Sequence, residues 1–416
     1  MAKKRLFMDI RPLWESPHFR RLWVGTGLST LGTQMTRFAV ALQVYTLTGS
    51  SLAVGSVGIA TVIPSILFGL VGGAVADAVD RRKLVLLTTG GLAVVSVVFA
   101  AQAFAELGQL WLLYVLVAVQ SVLTSLNSPA RRTFNPRLLR PDQLPAAAAL
   151  MMFTFHVSST AGPALAGLFA ALWGLKVLYL IDALTFVATL YGVFRLPGMK
   201  PEGGTTRPGL RSIGEGIGYV RRNKVLSGAF LADLNATVLA MPFALFPAIN
   251  AEHFGGAAQT LGLLTAAPAV GGLLGSALSG RIGDVARPGR AMLITGMVWG
   301  ASLAGFGLVP NLWLALALLA VAGVADSISM IFSASIVQVA TPDRYRGRVS
   351  AAEFVIGTGG PQLGNFRAGV VGSLTSSAVS TVSGGLSCVV GAALVWVALP
   401  AFTRYRAPRE EVEQVK

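Results

Sequence analysis

Charge is scarce in this chain of 416 residues: Asp, Glu, Lys and Arg together make up 12% of it, where an ordinary soluble domain carries about 25%. So little charge cannot coat a surface that faces water, which excludes a soluble enzyme and a disordered chain. Cysteine is limited to Cys388, so no internal disulfide forms and no cysteine cluster holds a metal. Only three histidines are present, and no His/Cys/Asp group has metal-ligand spacing. No metal, no cofactor and no enzymatic activity are therefore expected. There is no Gly-Lys pair anywhere, hence no G-x-x-x-x-G-K-[ST] phosphate loop, and an ATP-driven pump is disfavoured. A cleavable signal peptide is not expected either, because the N-terminus is long, basic and interrupted by Pro12 and Pro17.

What is abundant is apolar. Hydrophobic residues make up 54% of the chain, with 48 glycines besides, and the mean hydropathy is +0.67. About 20 residues span a bilayer. Twelve runs of that kind can be drawn, at 22–47, 52–77, 84–105, 110–130, 144–172, 175–195, 225–250, 260–283, 290–309, 312–336, 348–373 and 379–402. A backbone in lipid finds no water to bond, and these runs show no alternation of period two, so they read as helices.

The basic residues orient them. Of the 33 Lys and Arg, 30 fall in the N-terminal tail, the loops after even-numbered spans and the C-terminal tail. Lys176 is the exception, and Arg37 and Arg367 lie inside spans. Positive charge is retained on the cytoplasmic side, so both termini are expected there, in a multi-pass protein of a bacterial cell (inner) membrane. The net charge of +15 is thus a topology signal that also attracts anionic lipid, and nucleic acid is not an expected partner. Residues 196–224 form the long connection between six spans and six. The expected organisation is a first bundle over 1–195, a cytoplasmic linker over 196–224, a second bundle over 225–403 and a tail over 404–416. Within the linker, Ile213, Ile217 and Val220 can line one side of a short interfacial helix, or the segment can be a plain tether.

The halves repeat. Gly73-Ala-Val-Ala-Asp77, followed by Arg81 and Arg82, returns as Gly280-Arg-Ile-Gly-Asp284, followed by Arg287 and Arg290. Pro141-Asp142 returns as Pro342-Asp343, and Gly162-Pro163 as Gly360-Pro361. Two related six-helix halves suit a secondary transporter with its site between them. The stretch Gly73, Asp77, Arg81, Arg82 resembles the loop 2–3 signature of the major facilitator superfamily, with Ala78 and Asp80 departing from the usual basic residue and glycine. Gly162-Pro163-x-x-Ala166-Gly167 resembles the span 5 signature of that superfamily's antiporters. Over the whole chain the similarity is to the enterobactin-exporter and macrolide-efflux branch, carried by Gly73–Lys83, Ser279–Gly289 and Thr341–Ser350. The resemblance implies an all-α integral membrane fold of twelve transmembrane helices in two pseudo-symmetric six-helix bundles. It also implies that Asp77 contacts the N-terminus of span 11 to latch the halves shut on the cytoplasmic side, with Gly73, Arg81 and Arg82 in the same latch and Asp284 its pseudo-symmetric counterpart.

Polar residues inside the spans are the candidates for a site. Span 1 carries Thr26, Thr30, Thr33, Gln34 and Arg37 at three- and four-residue spacing, on one helical face. Span 4 carries Gln120, Thr124 and Asn127, span 7 Asp233 and Thr237, and span 10 Asp326, Ser329 and Ser333. In the superfamily these four helices line the central cavity. An ionised group at the bilayer centre costs about 2.5–3.5 kcal/mol on insertion scales. Arg37 is therefore expected to neutralise Asp233 or Asp326 across the cavity, and one of these aspartates, with Glu353 in span 11, to take up a proton. A static ion pair is the alternative for the same residues. Gly162, Pro163, Gly167, Gly360 and Pro361 allow close approach and bending, as hinge or packing elements. The expected function is export of an amphipathic small molecule (a drug, a macrolide-like compound or a siderophore) by alternating access and proton antiport, by a monomer. A proton-coupled or facilitative importer of a small nutrient is the alternative.

Overall fold

The computed structural model describes residues 9–199, 210–277 and 285–406. Among them are twelve long helices: α1 (Pro17–Thr48), α2 (Ser51–Ala78), α3 (Arg81–Phe104), α4 (Leu110–Arg132), α5 (Leu144–Trp173), α6 (Leu175–Phe194), α7 (Lys224–Ala240), α8 (Ala258–Ala277), α9 (Pro288–Phe306), α10 (Leu312–Ala340), α11 (Arg346–Leu374) and α12 (Ser377–Ala398). Their limits follow from local chemistry. Ser16 caps α1, its hydroxyl accepting from Phe19 N–H at 3.2 Å, and Pro17 stands where no N–H is needed. Gly49, at φ 61°, ends it in the left-handed region, its N–H bonding Tyr45 O at 2.7 Å. Ser50, Asn311 and Ser376 open α2, α10 and α12 in the same way as Ser16.

Among the described residues, nine segments are long and apolar enough to cross a membrane, which makes this a multi-pass membrane protein. α1, α9 and α11 fall outside that set. Arg20, Arg21, Arg37 and a run of hydroxyls in α1, and Arg346, Arg348, Glu353 and Arg367 in α11, dilute their apolar content. All three are packed among the nine.

Packing repeats between the halves. In the first, α1 lies on α6 and α5, α2 on α4, and α3 on α6 and α4; in the second, α7 lies on α12 and α11, α8 on α10, and α9 on α12 and α10. Two seams, α2 against α11 and α5 against α8, join them. The α2–α11 seam is tightest at the end away from the basic loops, and the α5–α8 seam is close at that end. A methyl on Gly167 of α5 would stand 2.5 Å from Ala258 O and 2.9 Å from Gly262 Cα of α8, and one on Gly55 of α2 would stand 2.7 Å from Asn365 O of α11. Towards the basic end the α2–α11 contact passes to a side chain, with Gly69 facing the Phe354 ring.

The expected span 225–250 is discontinuous. α7 stops at Ala240, Met241 is extended at φ −68° and ψ 117°, and the chain resumes as a 3-10 turn at Phe243–Leu245 and a helix at Phe246–His253. Pro242 explains this, because it lacks an N–H and drives the residue before it out of the helical region. The Arg367 guanidinium lies beside the freed end of α7: a methyl on Gly384 would meet both Arg367 Nη2 and Leu239 O at 2.5 Å. A cation there complements the negative end of a helix.

Candidate transport site

α1 has two working faces. Gly25, Gly32 and Thr36 turn to α6, where Gly32 lies against the Asp182 carboxylate and Gly25 against the backbone at Ala188 and Thr189. The polar stripe occupies the opposite face, flanked by two neighbours. Trp23 Nε1 donates to Leu150 O at 3.3 Å and Gln34 Nε2 to Ser159 Oγ at 2.9 Å, both in α5. On the other flank, Arg131 of α4 reaches in, its Nη2 donating to Thr26 Oγ1 at 2.6 Å. Between these flanks lie Thr30, Thr33 and the exposed side chain of Arg37. Arg37 Nη1 donates to Gln34 Oε1 at 3.2 Å. Thr30 bonds its own helix, at Thr26 O and 2.7 Å.

The α4 residues divide. Gln120, Thr124 and Arg131 share the side that meets α1; Thr124 is exposed, and Gln120 Nε2 is buried without a partner. Asn127 turns to α3 instead. It is buried against α3 and donates to Thr88 Oγ1 at 2.8 Å and Thr89 Oγ1 at 3.1 Å. Its amide finds hydroxyl partners only on that side, which the spacing of polar residues along α4 could not reveal. Arg131, by contrast, was readable in the sequence only as a charge marking topology. Its position seven residues after Thr124 puts the two on the same side of α4.

In the second bundle the charges are of the other sign. Asp233 of α7 lies within electrostatic reach of both Glu353 of α11 and Asp326 of α10. Asp233 and Asp326 are half-buried and Glu353 is exposed. Thr237 Oγ1 donates to Asp233 O at 2.8 Å, and its side chain packs on Gly360, where a methyl would stand 2.5 Å from Oγ1. Ser329 is half-buried one turn beyond Asp326. Ser327, on the α8 side of α10, bonds Ser276 at 2.9 Å.

The expected Arg37–aspartate pair is absent. No salt bridge among the described residues joins Arg37 or Arg131 to a carboxylate, and Arg37 spends its donor on Gln34. Arg37 and Arg131 belong to the first bundle, and Asp233, Asp326 and Glu353 to the second.

The glycine and proline candidates serve close contact. Gly162 lets α5 approach α1, since a methyl there would stand 2.7 Å from Gln34 Cβ. Gly167 and the Pro163 carbonyl form the α5–α8 seam with Gly262. Pro361 follows Gly360 within α11, which continues unbroken to Leu374. The latch residues do not bridge the halves here: Asp77 bonds Arg81 at 3.2 Å within its own bundle, and Arg82 donates to Phe194 O at 2.5 Å. Gly73 is half-buried in α2. Asp284 lies outside the described residues.

One buried acid stands apart from the site. Asp182 of α6 has no solvent exposure; its Oδ2 accepts from Thr36 Oγ1 at 2.9 Å and Ser96 Oγ at 2.8 Å, and Oδ1 has no partner. Its hydroxyl partners come from α1 and α3, sixty residues apart, so the pairing was invisible in the sequence.

A family model described as transmembrane secretion effector matches residues 10–415. Enterobactin exporter EntS from Shigella boydii serotype 18 is 25% identical over 413 residues, covering 99% of each chain. EntS from Escherichia coli O139:H28 gives the same figures. Among solved structures, nucleoside transporter NupG superposes with a TM-score of 0.70 at 15% identity, over 94% of this chain and 100% of that one. A bacterial homologue of the iron transporter ferroportin in its inward-facing state gives 0.69 at 18% identity, over 94% and 99%. At such identities the structural likeness carries the fold and nothing finer.

Proposed function

The chain belongs to the transmembrane secretion effector family, and with it to the major facilitator superfamily; on that premise we propose that it exports an amphipathic small molecule by alternating access and proton antiport. A drug, a macrolide-like compound and a siderophore are the candidate cargoes, the last favoured by the relatives named enterobactin exporter. What supports this reading is the segregation of charge, with Arg37 and Arg131 in the first bundle and Asp233, Asp326 and Glu353 in the second. Carboxylates near one another in lipid repel, and a proton taken up by any of them relieves the repulsion. Cargo that donates hydrogen bonds to the same acids competes with that proton, which is what exchange requires. Asp233 and Asp326 are the groups we assign to proton uptake, with Glu353 at the mouth.

In this reading all twelve long helices cross the membrane, in bundles over 1–195 and 225–403 joined by the linker 196–224, with a tail over 404–416. The basic end is cytoplasmic, as are both termini, in the inner membrane of a bacterium. The tight seams at the opposite end then describe a carrier closed to the outside. Gly162, Pro163, Gly167, Gly360 and Pro361 sit where helices must slide or tilt. Thr30, Thr33, Gln34, Gln120, Thr124, Thr237 and Ser329 offer hydrogen bonds to cargo, and the carrier acts as a monomer in contact with anionic lipid.

The test is efflux from proteoliposomes under an imposed pH gradient, offering a catecholate siderophore, a macrolide and a cationic dye in turn. Saturable transport that a protonophore abolishes is expected for at least one of them, and loss of that transport in Asp233→Asn or Asp326→Asn. PH-independent movement down the cargo's own gradient would point to a facilitative carrier instead.

A further inference from the structure

The linker does not end as a tether. Its helix, Leu210–Arg222, docks on the basic end of α11. Tyr219 stacks on Tyr345 with ring centroids 4.1 Å apart and planes 15° from parallel. Glu215 Oε2 pairs with Arg348 Nε at 3.0 Å. Val220 is buried with Leu226, Phe230, Val337 and Val349. Gly216 lies so close to the Arg348 carbonyl that no side chain fits there.

This docking occupies ground that the other bundle needs. α2 and α11 run antiparallel: Ser51 meets Gly369, Gly55 meets Asn365, Gly58 meets Gln362 and, with the register drifting by three residues, Gly69 meets Phe354. Continued eight residues from that last pairing, the register carries Asp77 level with Arg346, two residues from Arg348. In this structure Asp77 does not arrive; it bonds Arg81 instead and its side chain is 46% exposed. The seam that would deliver it is tight at the far end and looser here.

We propose that Arg348 exchanges carboxylates during transport. Glu215 of the linker helix holds it while the basic end is parted, and Asp77 of α2 takes it when that end closes. Glu215 and Tyr219 are positioning residues: they touch no cargo and act through the end of α11, making the linker helix a strap that favours the parted state. The proposal rests on the alternating-access reading, and its measurement needs no cargo.

The experiment places spin labels at Ala78→Cys and Gly347→Cys in the full chain, in lipid nanodiscs, and reads the distance between the basic ends of α2 and α11. Ala78 is exposed, Gly347 has open space around it, and Cys388 is buried and stays in place. Removing one exposed ion pair changes an equilibrium by about two- to fivefold. Glu215→Gln should raise the short-distance population by that factor, and Glu215→Asp should leave it near the parent value. Arg348→Gln should lower the short-distance population in the Glu215→Gln background, because Asp77 then loses its partner. A distribution unmoved by Glu215→Gln, or a short-distance population that persists without Arg348, overturns the exchange. Efflux failing in vesicles while these shifts occur would sink the exporter reading and leave the exchange standing.

Discussion

The two bundles share a packing scheme and divide the chemistry. Where α1 meets α6, the small residue is Gly32 on α1 and the polar one is Asp182 on α6. Where α7 meets α12, the places are reversed: Asn235 on α7 reaches across to Cys388 O at 2.8 Å, and Gly391 on α12 makes room for it. The same inter-helix gap is filled from opposite sides. Of the candidate site residues, the first bundle carries the guanidiniums of Arg37 and Arg131 and the second the carboxylates of Asp233, Asp326 and Glu353. A repeated scaffold fixes where helices lie and leaves each half free to hold a different charge, which is what a site between halves needs.

The largest effect should come from the acidic wall. Asp326→Asn keeps the size of the side chain and removes its charge, and pH-driven efflux is expected to fall at least about tenfold, the change that a 1.4 kcal/mol difference makes. Arg37→Gln, on the opposite wall, should weaken transport yet leave its pH profile in place. An Arg37→Gln protein that loses its pH response while Asp326→Asn keeps it would reverse the division of labour.

Next in size is the buried acid of the first bundle. Thr36→Val with Ser96→Ala strips both donors from a carboxylate that has no solvent exposure, at an expected cost of about 3 kcal/mol. The matching loss in the second bundle, Asn235→Ala, removes one neutral hydrogen bond, worth about 1 kcal/mol. Thermal unfolding in detergent should rank them in that order, and equal losses would mean that the two gaps are not inequivalent after all.

The seams come third. Gly167→Ala forces a methyl onto the α8 backbone and should cost about 1–3 kcal/mol as overpacking, whereas Gly90→Ala in α3 meets nothing within 4 Å and should be neutral or slightly stabilising.

Much of this was legible beforehand. Apolar length marked the helices, and Thr26, Thr30, Thr33, Gln34 and Arg37 share one side of α1 because a helix spaces one face by three and four. What escaped had causes outside any single run. The break in α7 was hidden because Pro242 sits inside a stretch that stays apolar on both sides of it. Asn127 and Asp182 owe their roles to hydroxyls on other helices. The Arg37 guanidinium finds Gln34 one turn back on its own helix instead of an aspartate. The docking of the linker helix depends on Tyr345 and Arg348, more than a hundred residues downstream.

The smallest effect concerns a departure from the superfamily's signature. Asp80, where a glycine is usual, caps α3: its Oδ1 accepts from Arg82 N–H at 2.9 Å and Lys83 N–H at 3.2 Å. Partial burial pushes its carboxyl up, but the backbone N–H groups of Lys83, Met199 and Arg82 outweigh that and hold it below the usual range. A depressed carboxyl stabilises the fold above its unfolded value of about 3.9, and the stabilisation is lost as pH falls through the lower folded-state value. α9, the counterpart in the second bundle, has Arg287 at the capping position with no side-chain bond and opens on Pro288 instead. Asp80→Ala should therefore cost about 1 kcal/mol at pH 7, and Arg287→Ala close to nothing. The difference between the Asp80→Ala and parent melting temperatures should hold steady from pH 7 to about 5 and shrink below about 4. A difference that is constant down to pH 3 would mean that the side chain acts by its shape, and that the two bundles begin their third helices on the same terms.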